Sequence, residues 1–361
     1  MDNTSVPERP SRRRFLATAS GLVAAGAASP AFAQGAQNLP PNVADWTKAL
    51  GEGVVARPYG TPSTFEKHVV RRDVEWLTAS RESSVSFTPL HELDGIITPN
   101  GLCFERHHSG VAEIDPRDYR LMVHGLVERP LVFTLDDLKR FPRVNRIHFL
   151  ECAANSGMEW RGAQLNGCQY THGMVHCVEY TGVPLKYLLD EAGLKPAAKW
   201  VLAEGGDAAA MTRSIPISKI LDDCLVAYRM NGEMLRPENG YPARLVVPGW
   251  EGNMWVKWLR RLKVGDEPWE TREETSKYTD LMADGKARRH TFVMDAKSVI
   301  TSPSPQVPLK GKGFTVISGL AWSGRGKVKR VDVSLDGGKN WREAKIDGLV
   351  LDKACVLLRR G

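Results

Sequence analysis

The sequence predicts an α+β chain whose last segment is all-β, and three observations predict it. From residue 119 to residue 265, strand-like alternations and short helical stretches are interleaved without the regular strand–helix succession of a parallel sheet. A polar, charged stretch over 266–290 then interrupts the pattern. Beyond it, short alternating runs separated by turn residues replace helical periodicity.

The composition supports a globular chain of about two domains, with 361 residues, 42% hydrophobic and 25% charged. It excludes a disordered tail, a collagen and a small disulfide scaffold. The formal charge is +7, and residues 1–33 contribute four arginines against two acids. The remaining mild excess suits an anionic substrate or acidic partner and does not call for nucleic acid.

Taken in order, Ser11-Arg12-Arg13-Arg14-Phe15-Leu16 sets paired arginines before an apolar run, Leu16 to Ala31, that closes on Ala31-Phe32-Ala33. Residues 1–33 read as a twin-arginine signal peptide cut near Gln34, which predicts a periplasmic protein, folded before export. A membrane span needs ~20 apolar residues. This run is diluted by Ser20, Gly21, Gly26 and Ser29, and no later segment reaches span length. Residues 34–75, rich in Pro and Gly, read as an irregular arm.

The body spans 76–265. Tyr119–Gly125 and Leu131–Thr134 read as strands, and Thr134 caps a helix opening at Leu135. Val183–Ala192 has helical spacing and stops at Gly193, with a strand at Lys199–Ala203 directly after it. Arg244–Gly249 and Trp255–Leu259 both read as strands separated by a Pro-Gly turn. Residues 266–290 read as a connector. In 291–361, Lys310–Gly319 and Val328–Ser334 are strand candidates and Asp336-Gly337-Gly338 is a hairpin turn. This last segment falls short of the ~100 residues of an immunoglobulin-like sandwich, so a truncated sandwich is expected. Its final residues, Asp347 to Gly361, are then expected to leave an unpaired edge strand with an exposed apolar face.

Six cysteines follow the signal: Cys103, Cys152, Cys168, Cys177, Cys224 and Cys355. Neither Cys-x-x-Cys-His nor a Cys-x-x-Cys pair occurs, so no haem or iron–sulfur centre is expected in this chain. Cys168-x3-His172-x3-His176-Cys177 imitates metal-ligand spacing, but Gly173 and β-branched neighbours oppose a continuous helix. A structural loop is the reading there, with a zinc site as the alternative. Cys152 ends an apolar strand, Ile147 to Glu151, and precedes the small residues Ala153-Ala154-Asn155-Ser156-Gly157. On composition alone it is a buried structural cysteine.

A strand-end Cys followed by Ala-Ala-Asn resembles the signature of the sulfite oxidase family, whose cysteine is the one protein ligand to a molybdenum held by a pterin dithiolene. Other blocks agree with that family in order: Phe104-Glu105-Arg106-His107-His108, Glu204-Gly205-Gly206-Asp207, Ser214-Ile215-Pro216, Ala227–Gly232, Gly240–Arg244, Val246–Gly249 and Trp255-Val256-Lys257-Trp258-Leu259. Lys297–Pro303 and Ser334–Trp341 are similar to the start of its immunoglobulin-like dimerisation domain.

The resemblance implies a molybdenum–molybdopterin cofactor with Cys152 as metal ligand, a soft thiolate suited to such a metal. Arg106 would hold an anionic sulfur–oxygen group, and Tyr278 would hydrogen-bond substrate or metal oxo. Phe104, Arg106, His108, Asp207, Asn239, Trp255 and Val256 would contact the pterin. Arg244 and Lys257, with Arg213 as an addition, would bind its phosphate.

Two departures from the vertebrate-type pattern bear on substrate: Gly157 stands at a second substrate arginine and Asn239 at a pterin-contacting histidine. Tyr170–Met174, Ala153-Ala154 and Glu274–Asp280 instead resemble a branch of the family, the SoxC molybdenum subunit of Sox-type sulfane (sulfite) dehydrogenases. That branch implies sulfane sulfur on a carrier-protein cysteine as substrate in thiosulfate oxidation, a c-type cytochrome as electron acceptor, and a homodimer core within a hetero-oligomer. A free-sulfite dehydrogenase or a sulfoxide reductase is the alternative within the family. An exported binding or scaffold protein that has lost its metal is the alternative from another class.

Overall fold

The computed structural model describes residues 61–361 and a few isolated positions between 44 and 54. The export signal expected over 1–33, and 20 of the 42 residues of the arm expected over 34–75, lie outside the described residues.

The strands that build the body and the C-terminal segment are β1 (Leu121–Gly125), β2 (Leu131–Phe133), β3 (Val144–Glu151), β4 (Val175–Pro184), β5 (Trp200–Gly205), β6 (Thr212–Pro216), β7 (Leu225–Met230), β8 (Glu233–Met234), β9 (Arg244–Val246), β10 (Leu259–Gly265), β11 (Lys297–Ser302), β12 (Ile317–Trp322), β13 (Lys345–Asp347) and β14 (Val356–Arg360). The helices are α1 (Leu135–Arg140), α2 (Cys168–His172), α3 (Leu185–Ala192), α4 (Ile217–Asp222) and α5 (Arg272–Ser276). One sheet runs β2-β1-β10-β5-β6, with β10 parallel to β1 and antiparallel to β5. A second runs β8-β7-β4-β3, with β9 also on β7. The fold is α+β, and its C-terminal sheet is β11-β12-β14-β13.

Local chemistry explains the elements. Thr134 accepts from the Asp137 N–H while Asp137 accepts from Thr134, a reciprocal cap that starts α1. Leu185, Leu188, Leu189 and Ala192 put one buried face on α3, and Gly193 at φ 71° ends it in a conformation that favours glycine. Strands β3 and β4 pair from Val144 with Gly182 to Glu151 with Val175, so the residue after β3 is delivered to the end of a long, rigid ladder. That residue is Cys152.

Four expectations need correction. Trp255–Trp258 is a loop, not a strand, with Trp258 at φ 51°. Trp255, Val256 and Trp258 are buried, and the carbonyls of Val256 and Trp258 accept from Leu245 and Gly206, so burial is achieved without a ladder. In Lys310–Gly319 the strand begins only at Ile317, because Gly311 (φ 138°) and Gly313 (φ 147°) hold a backbone that side-chain-bearing residues avoid. The connector is built into the body: α5 buries Glu273 and Glu274, and Thr279–Leu281 pairs with Ala287–Arg289. Finally, β14 is not an edge. It lies between β12 and β13, with Val356, Leu357 and Leu358 buried.

The main core gathers side chains from both large sheets, α1, α3 and α4. A smaller cluster, with Phe149, Val175, Cys177, Met294, Trp322 and Cys355, joins β3 and β4 to the C-terminal sheet. Among the described residues no helix is long and apolar enough to cross a membrane.

Candidate active site

The end of β3 sets the position of Cys152. Its N–H donates to the Met174 carbonyl at 3.0 Å and its carbonyl accepts from Asn155 N–H at 2.9 Å, closing a tight turn over 152–155. The short bridge between Val85 and Arg106 brings the 104–108 segment alongside. The loops after β5, before β9 and before β10 supply the remaining walls.

These segments line an open cleft. Of the residues singled out from sequence, Cys152, Phe104, Arg106, His108, Asp207, Asn239, Arg244, Trp255, Val256, Lys257 and Tyr278 all line it. Arg213 does not. It is fully buried, its guanidinium 4.7 Å above the Tyr278 ring, 4.0 Å from Glu274 Oε1, with Nε 3.1 Å from Met254 Sδ. It packs behind the tyrosine, with one guanidinium nitrogen, Nη1, buried and unpartnered.

Sequence reasoning missed other lining residues, among them Glu105, His107, His176, Met211, Glu238, Asn253 and Trp258. Glu105 and His107 flank Arg106 in the same short motif, so proximity was the available signal. His176 was grouped with the zinc-like spacing, which does not converge. His172 ends α2 and shares a 2.9 Å hydrogen bond with Thr171, while His176 sits on β4 with its ring 5.0 Å from Phe104. Among the described residues no cluster of three or more His, Cys, Asp or Glu side chains could hold a metal.

Two of the cations that line the cleft, Arg244 and Lys257, make no ion pair among the described residues. Arg244 is 3% exposed, and its donors reach only the Asn239 and Trp255 carbonyls, both at 3.0 Å, with Nε unpartnered. Lys257 Nζ meets the Glu238 carbonyl at 3.1 Å, the Arg106 carbonyl at 3.3 Å and His107 Nδ1 at 2.8 Å. No carboxylate pairs with either cation among the described residues. Burial, followed by the Arg244 charge, holds the Lys257 ammonium well below its usual range.

His107 is pushed down to about 3 by burial and by the charges of Lys257 and Arg106. It is therefore neutral at pH 7. Its Nδ1 accepts from Lys257, and its Nε2 donates to Glu105 Oε2 at 2.7 Å, with Arg71 paired to the same carboxylate. His108 is lowered to about 4 by burial and Arg106. Burial raises the Cys152 thiol, with the Ala154 backbone and Arg106 opposing, and burial raises the Tyr278 phenol.

The residues fit a molybdenum–pterin cofactor on those observations. Two buried cations lacking carboxylate partners match a phosphate, and the unpartnered Asn239 Oδ1 and Asn253 Oδ1 offer acceptors to ring N–H groups. Asp207 on the same wall adds an anionic acceptor, and Cys152 presents a soft ligand.

Comparison with known proteins defines the class. Residues 108–273 match the oxidoreductase molybdopterin binding domain and residues 288–353 the Mo-co oxidoreductase dimerisation domain. This is a molybdopterin-binding oxidoreductase with an appended dimerisation domain. The chain is 33% identical over 316 residues to human mitochondrial sulfite oxidase, covering 82% of this chain and 58% of that protein. It is 32% identical over 291 residues to the tomato NADH nitrate reductase, covering 70% of this chain and 31% of that one. The chain thus spans 58% and 31% of the length of these two curated relatives. The crystal structure of the sulfane dehydrogenase SoxCD from Paracoccus pantotrophus superposes with a TM-score of 0.86 at 63% identity, covering 88% of this chain and 82% of that chain. The chain belongs to the sulfite oxidase family of molybdenum enzymes.

Proposed function

We propose that this protein is the molybdenum subunit of a periplasmic, twin-arginine-exported sulfane dehydrogenase. It oxidises sulfane sulfur carried on a partner protein's cysteine and passes electrons to a c-type cytochrome. In this reading the body over 76–265 holds the cofactor and residues 291–361 mediate a homodimer. The observation that carries it is the convergence of one soft thiol, Cys152, with two buried cations that lack carboxylate partners in a single cleft. The 63% identity to a sulfane dehydrogenase supports the substrate.

When bound, the molybdenum–pterin group supplies oxygen-atom transfer from water and takes up two electrons per oxygen added. The protein's own residues do the rest. Cys152 holds the metal as thiolate, and Arg244 and Lys257 neutralise the phosphate. Asp207 and Asn239 orient the pterin ring. Arg106 reaches the carbonyls of Ser83, Ser84 and His107, which keeps its guanidinium at the cleft wall to hold an anionic sulfur–oxygen group. Tyr278 stays a protonated phenol and donates a hydrogen bond into the cleft.

Steady-state oxidation of a carrier protein bearing a cysteine persulfide, compared with sulfite alone, tests the substrate. Turnover that requires the carrier is expected. Brisk turnover on free sulfite without it assigns the chain to the sulfite-oxidising alternative.

A further inference from the structure

Glu151, the residue directly before Cys152, carries a fully buried carboxylate. Three donors converge on it: Asn155 Nδ2 and Lys297 Nζ reach Oε1, both at 2.9 Å, and Trp322 Nε1 reaches Oε2 at 2.7 Å. Two of the three belong to the C-terminal sheet, Lys297 opening β11 and Trp322 closing β12. Lys297 Nζ also meets the Asn155 carbonyl at 3.3 Å and Ser156 Oγ at 3.4 Å. Asn155 Oδ1 in turn accepts from Met174 N–H at 3.0 Å, the residue whose carbonyl receives the Cys152 N–H.

All of these contacts act on the turn that presents the cysteine, and Glu151, Lys297 and Trp322 all lie outside the cleft. A buried carboxylate is stable only when paired and hydrogen-bonded. Here both oxygens are satisfied, but without β11 and β12 the charge partner and the sole donor to Oε2 are lost and Asn155 alone remains on Oε1.

We propose that Glu151 is a positioning residue through which the C-terminal domain holds Cys152 in its metal-binding orientation. Retention of the cofactor then depends on Lys297 and Trp322, neither of which touches it. The inference rests on the assignment of Cys152 as metal ligand.

Glu151→Gln, Lys297→Met and the double variant are compared with the parent by two readouts. The first is molybdenum per chain after prolonged dialysis of exported protein. The second is the rate of Cys152 alkylation by iodoacetamide in metal-free protein, followed by peptide mass spectrometry. The other five cysteines are buried and serve as internal controls.

Each single variant is expected to retain metal about 10-fold less well, the usual scale for outer-shell partners of a ligand. Each should alkylate Cys152 faster while keeping the parent's near-ultraviolet circular dichroism. The double variant, which leaves neither charge buried and unpaired, should stay as impaired as the single variants because the tether from β11 is gone; recovery to the parent's metal content and alkylation rate would reduce the single-variant defects to an unpaired charge and overturn the proposal. Trp322→Phe, which removes one donor and keeps a ring, should be intermediate and serves if a charge variant does not fold. Single variants with the parent's metal content and alkylation rate, even at a lower melting temperature, overturn the proposal and leave Glu151 a stabilising residue alone. A parent that binds no molybdenum overturns the ligand assignment instead, while the alkylation rates still report on the turn.

Discussion

Lys257 shows how single residues in the cleft trade stability for binding. Its ammonium is buried among two carbonyls and a neutral imidazole, a costly arrangement in the absence of an anion. Lys257→Met is therefore expected to leave the melting temperature of the metal-free protein unchanged or higher. The same change should cut cofactor retention about 10-fold or more, measured as pterin and molybdenum per chain. The histidines give a second test. His107, His108 and His176 are held at about 3, 4 and 3, in each case chiefly by burial, against about 6.5 in an unfolded chain. Between these values the unfolded chain binds more protons, so stability rises with pH. It should be complete above about pH 6.5 and fall steadily toward pH 4 in metal-free protein. His176→Gln should make that fall shallower in thermal melts across the window. Most of the cleft was legible in the sequence, because Cys152, Arg106, Arg244 and Lys257 stand in contiguous motifs. His107 and Glu105 were overlooked because their part is to set the proton position next to Lys257, which spacing does not reveal. Arg213 stands off the cleft wall, a placement its motif could not reveal because it names a strand and not where each side chain of that strand lies.

At the scale of elements, the segment that read as a connector proves to carry part of the site. Glu274 in α5 accepts from the Thr271 N–H at 2.8 Å and from Ser214 Oγ at 3.1 Å, tying this stretch to β6. Four residues later Tyr278 enters the cleft, with Arg213 packed against its ring. Glu274→Ala is expected to lower turnover by an order of magnitude or more while molybdenum content stays at the parent level, because it releases the tyrosine and not the metal ligand. Turnover and metal assayed on the same preparation decide this. The helix α1 offers a contrast, since it lies away from the cleft. Thr134→Ala should cost about 1 kcal/mol in denaturant unfolding, the usual value of a lost N-cap, with no change in turnover. Charge and polarity made 266–290 look like a linker. Its buried Glu274 is tied across the chain to Ser214 and Arg213, and such pairings leave no local periodicity to read.

For the whole molecule, the link between body and C-terminal sheet is the feature that sequence could least supply. The strand β14 closes the sheet from its middle, and Trp322 and Cys355 share a cluster with Phe149 and Val175 of the body. The change to all-β texture after residue 290 was readable. The docking was not, because contacts between residues some 170 positions apart, such as Glu151 with Trp322, have no signature in either segment. The two parts should consequently unfold in one transition, with near- and far-ultraviolet circular dichroism giving coincident melts. Everything above turns on Cys152 and the cations around it forming a cofactor site. The most direct test is molybdenum per chain by elemental analysis, on protein exported from a host that makes molybdopterin, beside Cys152→Ser. The account predicts close to one metal per parent chain and a clear loss in the variant. A well-folded parent without molybdenum, or a variant that retains it, would contradict the account.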